Sequence, residues 1–295
     1  MAGGLERAAP AKINLALHVT GRRADGYHLL ETLVAFTRHG DLLKAETSDH
    51  DAFVVTGRYG AEVPGDGTNL VLAARDMLRG AFGATAARPV KLTLEKNLPV
   101  ASGIGGGSSD AAAAIGLLKQ YWRIDTTGEK LAQIALRLGA DVPMCLVARP
   151  LVARGIGETL EPVAGLPSLP ALLVNPGIPL ATPAVFAALV KRSNSPLPPF
   201  RGGDIAATVD WLETTRNDLE PAAIGLVPEI ASVLETLRET GALLARMSGS
   251  GATCFGIFAT DEDARAAAKA IASRRPAWFL QATSIMPTSE PVQDG

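Results

Sequence analysis

The sequence predicts an α+β protein of two domains. Its 295 residues suffice for two separate cores. Hydrophobic spacing switches repeatedly between period two and period 3.6. The stretch PVAGLPSLP (162 to 170) reads as a linker, dividing the chain into 1–163 and 164–295.

In the first part, Ile13, Leu15, Leu17 and Val19 alternate with Lys12, Asn14, Ala16 and His18. That pattern predicts a half-buried strand with Lys12 and Asn14 side by side. GRRADGYH (21 to 28) is turn-rich, and 42–48 and 51–57 read as strands. The next segment predicts a helix capped by Asp66 or Thr68, ending near Phe82 at Gly83. A strand over 90–96 leads into PVASGIGGGSSDAAA (99 to 113), and Ser108 or Ser109 is the expected cap of the helix that follows. Thr126 and Glu129 read as a capping box for a helix that stops at Gly139. VPMCLVARPLVARGIGETLEPV then reads as one or two strands and a turn, leaving Asp141 between a helix end and a strand.

Beyond the linker, 171–177 is an apolar strand and TPAVFAALVKR a short helix. The Pro/Gly-rich segment 193–203 reads as a mobile loop. Helices are expected over 204–213 and 217–240, followed by a strand, glycine turn and strand in LLARMSGSGATCFGIFA, a helix in DEDARAAAKAIASRR and a last strand in WFLQATSIM. The order β-α-α-ββ-α-β predicts a ferredoxin-like layer.

Lys and Arg number 28 against 30 Asp and Glu, a net charge of −2, so neither nucleic acid nor a membrane surface is an expected partner. Cys145 and Cys254 lack CxxC spacing and read as buried thiols in a reducing cytosol. Glu6, Arg7 and Lys12 interrupt any apolar run at the N-terminus, so no signal peptide or anchor is expected and a cytoplasmic location is. His18, His28, His39 and His50 show no metal-ligand spacing.

Gly103, Gly105, Gly106 and Gly107 are costly to order and therefore need a reason. A glycine loop feeding a helix N-terminus offers bare N–H groups and a favourable dipole to a phosphate. Ser108 follows Gly107 and no lysine appears, which excludes a Walker A loop. Ser108 also occupies the last glycine position of a dinucleotide fingerprint, leaving that alternative weak but open. From the strand alone, Lys12 reads as an edge-strand lysine in solvent; Asp141 could be only a turn former, and SGSG (248 to 251) reads as a hairpin turn or a second anion clamp.

Three separated stretches resemble one family. PVASGIGGGSSDAAA is similar to the ATP loop of the GHMP kinases (galactose, homoserine, mevalonate and phosphomevalonate kinases), and RMSGSGATCFGIF to their C-terminal glycine motif. AKINLALHVTGRRADGYHLLET (11 to 32) resembles the isoprenoid-pathway branch of that family, as do LGADVPMCL, ARGIGETLEP and NDLEPAA. The resemblance implies a ribosomal-S5-domain-2-like N-terminal domain, a ferredoxin-like C-terminal domain and an active site between them. It implies ATP as co-substrate, Mg²⁺, and a small-molecule acceptor, a cytidine-diphosphate-linked methylerythritol. A monomer or weak homodimer is expected.

The same resemblance assigns roles by position. Asp141 matches the base and Lys12 its partner. Pro99, Val100, Ala101, Ser102, Gly103, Ile104, Gly105, Gly106, Gly107, Ser108 and Ser109 match the ATP loop, and Asn69 and Lys96 positions near adenine. Asn14 falls near the alcohol; Tyr27 and His28 on one face of the cytosine, Phe186 on the other, with Thr182 beside it. The family often has glycine where this chain has Ala101 and Ser102, and Asp110 places an acid beside a phosphate site.

Overall fold

In the computed structural model, which describes residues 4–289, β1 (Leu5–Arg22) and β2 (His28–Thr47) form one long antiparallel pair. After β3 (Ala52–Thr56), α1 (Leu70–Phe82) and β4 (Val90–Glu95) come α2 (Gly106–Tyr121), α3 (Gly128–Leu138) and α4 (Val142–Val147). The hairpin of β5 (Leu151–Gly155) and β6 (Thr159–Pro162) completes this part. β2 pairs with β1 along its length, with β4 through 42–47 and with β5 through 30–34; β3 joins β4 in parallel.

The chain continues through β7 (Leu169–Asn175), α5 (Thr182–Ala187), α6 (Ile205–Glu213), α7 (Glu220–Leu226) and α8 (Glu229–Glu239). It closes with β8 (Leu244–Met247), β9 (Cys254–Ile257), α9 (Asp261–Arg274) and β10 (Phe279–Ile285). Their order β10-β7-β9-β8, antiparallel throughout, is the ferredoxin-like arrangement that the element order predicts. The two sheets meet where Ile285 of β10 pairs with Thr37 of β2. No described helix is long and apolar enough to cross a membrane.

Several expectations shift for local physical reasons. β1 carries a bulge at Leu15, where Asn14 pairs with Val34 and Ala16 with Leu33. An extra residue reverses the alternation beyond it. Leu17, expected opposite Asn14, therefore lines the same cleft, while Ala16 joins Ile13 in the core between the sheets. Asn69 caps α1 in place of Asp66 or Thr68, accepting from Val71 N at 2.8 Å, and Thr127 rather than Thr126 caps α3. Residues 142–147 are helical rather than extended, because Pro143 sits in the first turn, where its fixed φ and missing N–H cost nothing. Val227, before Pro228, takes φ −135° and ψ 87°, splitting the expected 217–240 helix into α7 and α8.

The 193–203 segment is tethered. Asn194 donates to Val19 O, Leu197 N to Glu31 Oε2 at 2.9 Å and Trp211 Nε1 to Pro199 O at 3.1 Å. Phe200 packs edge-on against Trp211.

Candidate active site

The glycine loop joins β4 to α2. Ala101, Gly103 and Gly105 take φ of 52°, 78° and 64°. Gly105 occupies the N-cap of α2, so no side chain caps this helix and its first N–H groups face outward. Ser108 and Ser109 lie inside the first turn instead of capping it, and Ser109 Oγ turns away to donate to Pro10 O at 2.7 Å. A Cβ on Gly105 would stand 3.1 Å from Lys12 Cβ, so glycine lets the loop lie along the lysine stem. Lys12 N donates to Ile104 O at 2.9 Å, fixing strand to loop.

Lys12 Nζ donates to Asp141 Oδ2 at 2.7 Å. The two residues are 129 positions apart, and the fold brings them together at the cleft floor. Asp141 precedes α4 with no capping bond, which leaves its carboxylate for Lys12. The Lys12 side chain is 7% exposed and that of Asp141 42%, so the pair has a sealed end and an open one. Burial alone would lower the Lys12 pKa, yet Asp141 raises it above the ordinary lysine value. Lys12 in turn holds Asp141 below the usual carboxylate range against the opposing effect of burial. Both groups are charged at neutral pH.

A second buried cluster sits beneath the loop. Lys96 Nζ donates to Asp41 Oδ2 and Asp110 Oδ2, each at 2.6 Å, and Asp41 Oδ1 accepts from Asn97 N and Leu98 N. The cluster ties the β4 end of the loop to Asp110, the fifth residue of α2. Burial, reinforced by Asp41 and opposed by Lys96, pushes Asp110 up to about 8. The Asp110 carboxyl is thus held largely as the neutral acid, which removes the repulsion its sequence position implied. Lys96 gives two of its three N–H bonds to this cluster.

The SGSG turn packs on the glycine loop. Asn14 N donates to Ser248 Oγ at 3.1 Å, Ser248 Oγ donates to Gly103 O at 3.3 Å, and Thr253 N to Ser102 O at 3.1 Å. Asn217 Nδ2 holds the turn from behind through Met247 O and Gly249 O, both at 2.8 Å. Neither Asn217 nor Asp41 carried a sequence signal of its own. NDLEPAA resembled the family without suggesting a task, and Asp41 sits in an ordinary strand.

A cleft of about 610 Å³ runs between these loops. Lys12, Asn14, Asn69, Lys96, Pro99 to Gly103, Gly105 to Ser108, Asp141, Thr182 and Phe186 line it. Ile104 and Ser109 instead point into the interior. Tyr27 is 64% exposed and, like His28, lies outside the cleft lining. The His28 and Phe186 rings stack directly, centroids 5.0 Å apart at 25°, so a flat base enters between them only when they part. Burial, then Arg22 and Arg192, lowers the His28 pKa and keeps the imidazole neutral at pH 7. Thr182 Oγ1 lies 2.7 Å from Ser250 Oγ. Chemically, the arrangement offers a carboxylate to take a proton, a cation beside it and bare N–H groups for an anion.

Comparison with known proteins agrees with this architecture. The GHMP kinases N terminal domain matches residues 69–149, and the GHMP kinases C terminal domain residues 199–277. The chain is 62% identical over 280 residues to the 4-diphosphocytidyl-2-C-methyl-D-erythritol kinase of Chelativorans sp. (strain BNC1), covering 95% of each. It is 57% identical over 279 residues to the same kinase of Mesorhizobium japonicum, covering 94% of this chain and 95% of that one. A crystal structure of 4-(cytidine 5'-diphospho)-2C-methyl-D-erythritol kinase matches with a TM-score of 0.79 at 36% identity, over 95% of this chain and 98% of that one. With both family segments in order and near-full-length likeness to enzymes of one kind, the chain belongs to the GHMP kinases, a family of phosphotransferases.

Proposed function

We propose that the protein transfers the γ-phosphoryl group of ATP to the 2-hydroxyl of 4-diphosphocytidyl-2-C-methyl-D-erythritol, a step towards isoprenoid precursors. The names of its relatives support the acceptor. The observation that carries the chemistry is the Lys12–Asp141 pair, 2.7 Å apart in the cleft lining with the carboxylate the more exposed partner. In this reading the glycine loop and the N–H groups of α2 hold the ATP phosphates. Asp141 accepts the hydroxyl proton as the oxygen attacks phosphorus, and Lys12 orients that carboxylate and offsets developing charge.

A low pKa suits the base. Phosphoryl transfer passes through a loose transition state, so the proton leaves late and an ionised carboxylate in place matters more than high basicity. Asn14 meets the alcohol, and the neutral His28 ring parts from Phe186 to admit the cytosine, with Tyr27 and Thr182 at its margin. Asn69 and Lys96 stand at the adenine end. The same reading divides the chain into an ATP-binding part, 1–163, and a ferredoxin-like part, 164–295.

Mg²⁺ is part of the proposal. It takes one or two protein oxygens and otherwise phosphates and water. The chain offers Ser108 at the cleft and the buried, unpartnered Oδ1 of Asp110, a donor set that fits once the Asp110 carboxyl gives up its proton to the ion's charge. When bound, it would neutralise charge on the β- and γ-phosphates.

A coupled ADP-release assay with the cytidylyl polyol, homoserine and mevalonate tests the reading. We expect turnover with the first alone. Turnover confined to either of the others overturns the assigned acceptor.

A further inference from the structure

Asn14 is 97% buried in effect, with 3% of its surface exposed, and its Oδ1 has no hydrogen-bond partner. An orphaned buried acceptor costs free energy unless a ligand satisfies it. Which end of the amide faces the cleft therefore matters, and Thr32 decides it.

The Thr32 hydroxyl lies 2.7 Å from Ala16 O and 2.9 Å from the Asn14 amide. A carbonyl cannot donate, so the single hydroxyl proton goes to Ala16 O. The hydroxyl oxygen then meets Asn14 only as an acceptor, which requires the amide nitrogen on that side. Oδ1 is left as the free end. The bulge at Leu15 makes this possible, because it breaks the β1–β2 ladder between Asn14 and Ala16, where Thr32 reaches across. Gly249 keeps the other side open: a Cβ there would stand 3.2 Å from Asn14 Oδ1.

We propose that Thr32 is a positioning residue that locks the Asn14 amide so that its carbonyl oxygen, and not its N–H groups, meets the acceptor polyol, accepting the proton of a hydroxyl beside the nucleophile while the nucleophile's own proton goes to Asp141. The inference deepens the proposed function and rests on that reading for the identity of the polyol. The locked orientation has a chemical purpose. A flipped amide would aim N–H groups at the alcohol oxygens and occupy the lone pair needed for attack. With Oδ1 forward, the site binds an O–H donor and leaves the nucleophile's lone pairs free. Thr32 also lines the cleft, but its hydroxyl is taken up by Ala16 O and the Asn14 amide, so it acts through Asn14.

Steady-state kinetics of Thr32→Val and Thr32→Ser, with thermal melts and NMR of the Asn14 side-chain amide, test this. In Thr32→Val the amide loses its fixed partner, so kcat/KM for the polyol should fall about tenfold or more, while KM for ATP stays within about twofold. Thr32→Ser keeps the hydroxyl and should recover most of the loss. An Asn14 side-chain amide proton should exchange slowly in the wild type and in Thr32→Ser and fast in Thr32→Val. Wild-type kinetics in Thr32→Val overturn the proposal, as does an equal loss in both variants or a parallel change in KM for ATP. If the wild-type enzyme ignores the cytidylyl polyol, the assigned acceptor fails; an amide proton unchanged in Thr32→Val refutes the lock independently of any substrate.

Discussion

Asp110 shows what the surroundings of one residue do to its chemistry. In the sequence it is an acid shortly after the glycine loop; in the fold its carboxyl shares the Lys96 ammonium with Asp41. Two carboxylates on one buried cation do not both ionise readily. Below the ordinary aspartate pKa of 3.8, folded and unfolded chains both hold the Asp110 proton. Between 3.8 and about 8 the unfolded chain releases it and the folded chain keeps it, so this group's contribution to stability falls as pH rises through that window. Asp110→Asn keeps a carbonyl for Lys96 and cannot ionise. Urea unfolding at pH 5 and pH 8 should show the variant gaining on the wild type at the higher pH; a constant difference contradicts the raised pKa.

Among the elements, the two glycine turns act as one unit. A Cβ on Gly103 would stand 2.4 Å from Gly251 O, a backbone atom with no room to retreat, and φ is +78° there. Gly103→Ala should combine left-handed strain of about 1–2 kcal/mol with separation of the turns. The expected outcome is a raised KM for ATP and a lower Tm, roughly 2–4 °C for each kcal/mol. Wild-type values of both would show the packing of the turns to be incidental. Ala101, also left-handed at 52°, carries similar strain but is exposed, so its side chain meets no such obstacle.

These elements also show what a sequence can and cannot disclose. The glycine loop was legible because clustered glycines have a local cost and a local use. The adjacency of Lys12 and Asn14 followed from strand period alone. The Leu15 bulge was not legible: nothing in INLAL marks an extra residue, and the register shift is set by pairing with β2. The helix at 142–147 was hidden by an apolar run too short for periodicity to separate from a strand. Asp41, Thr32 and Asn217 act only through partners distant in sequence, so their local context carries no trace of the task.

At the scale of the whole molecule, a strand near the N-terminus, a loop in the middle and a turn near the C-terminus converge on one cleft. Lys12 and Asn14 come from β1, the glycine loop precedes α2, and the closing turn lies between β8 and β9. The sheets share a single β2–β10 residue pair, and a buried core that packs Ile13, Leu33 and Ala35 against Leu173, Phe255 and Ile257 joins the two halves. Burying Lys12 is tolerable only because Asp141 meets it, and removing the carboxylate outright would strand a buried charge. Asp141→Asn keeps an oxygen for the Lys12 hydrogen bond but loses both the basic site and the charge that balances Lys12.

Turnover and ATP affinity of Asp141→Asn, measured side by side with the wild type on the cytidylyl polyol, test the central claim most directly. The account predicts an unchanged Kd for ATP, a lowered Tm in a chain that still folds, and a kcat reduced by about 10²–10⁴. A kcat within a fewfold of wild type would contradict Asp141 as the proton acceptor.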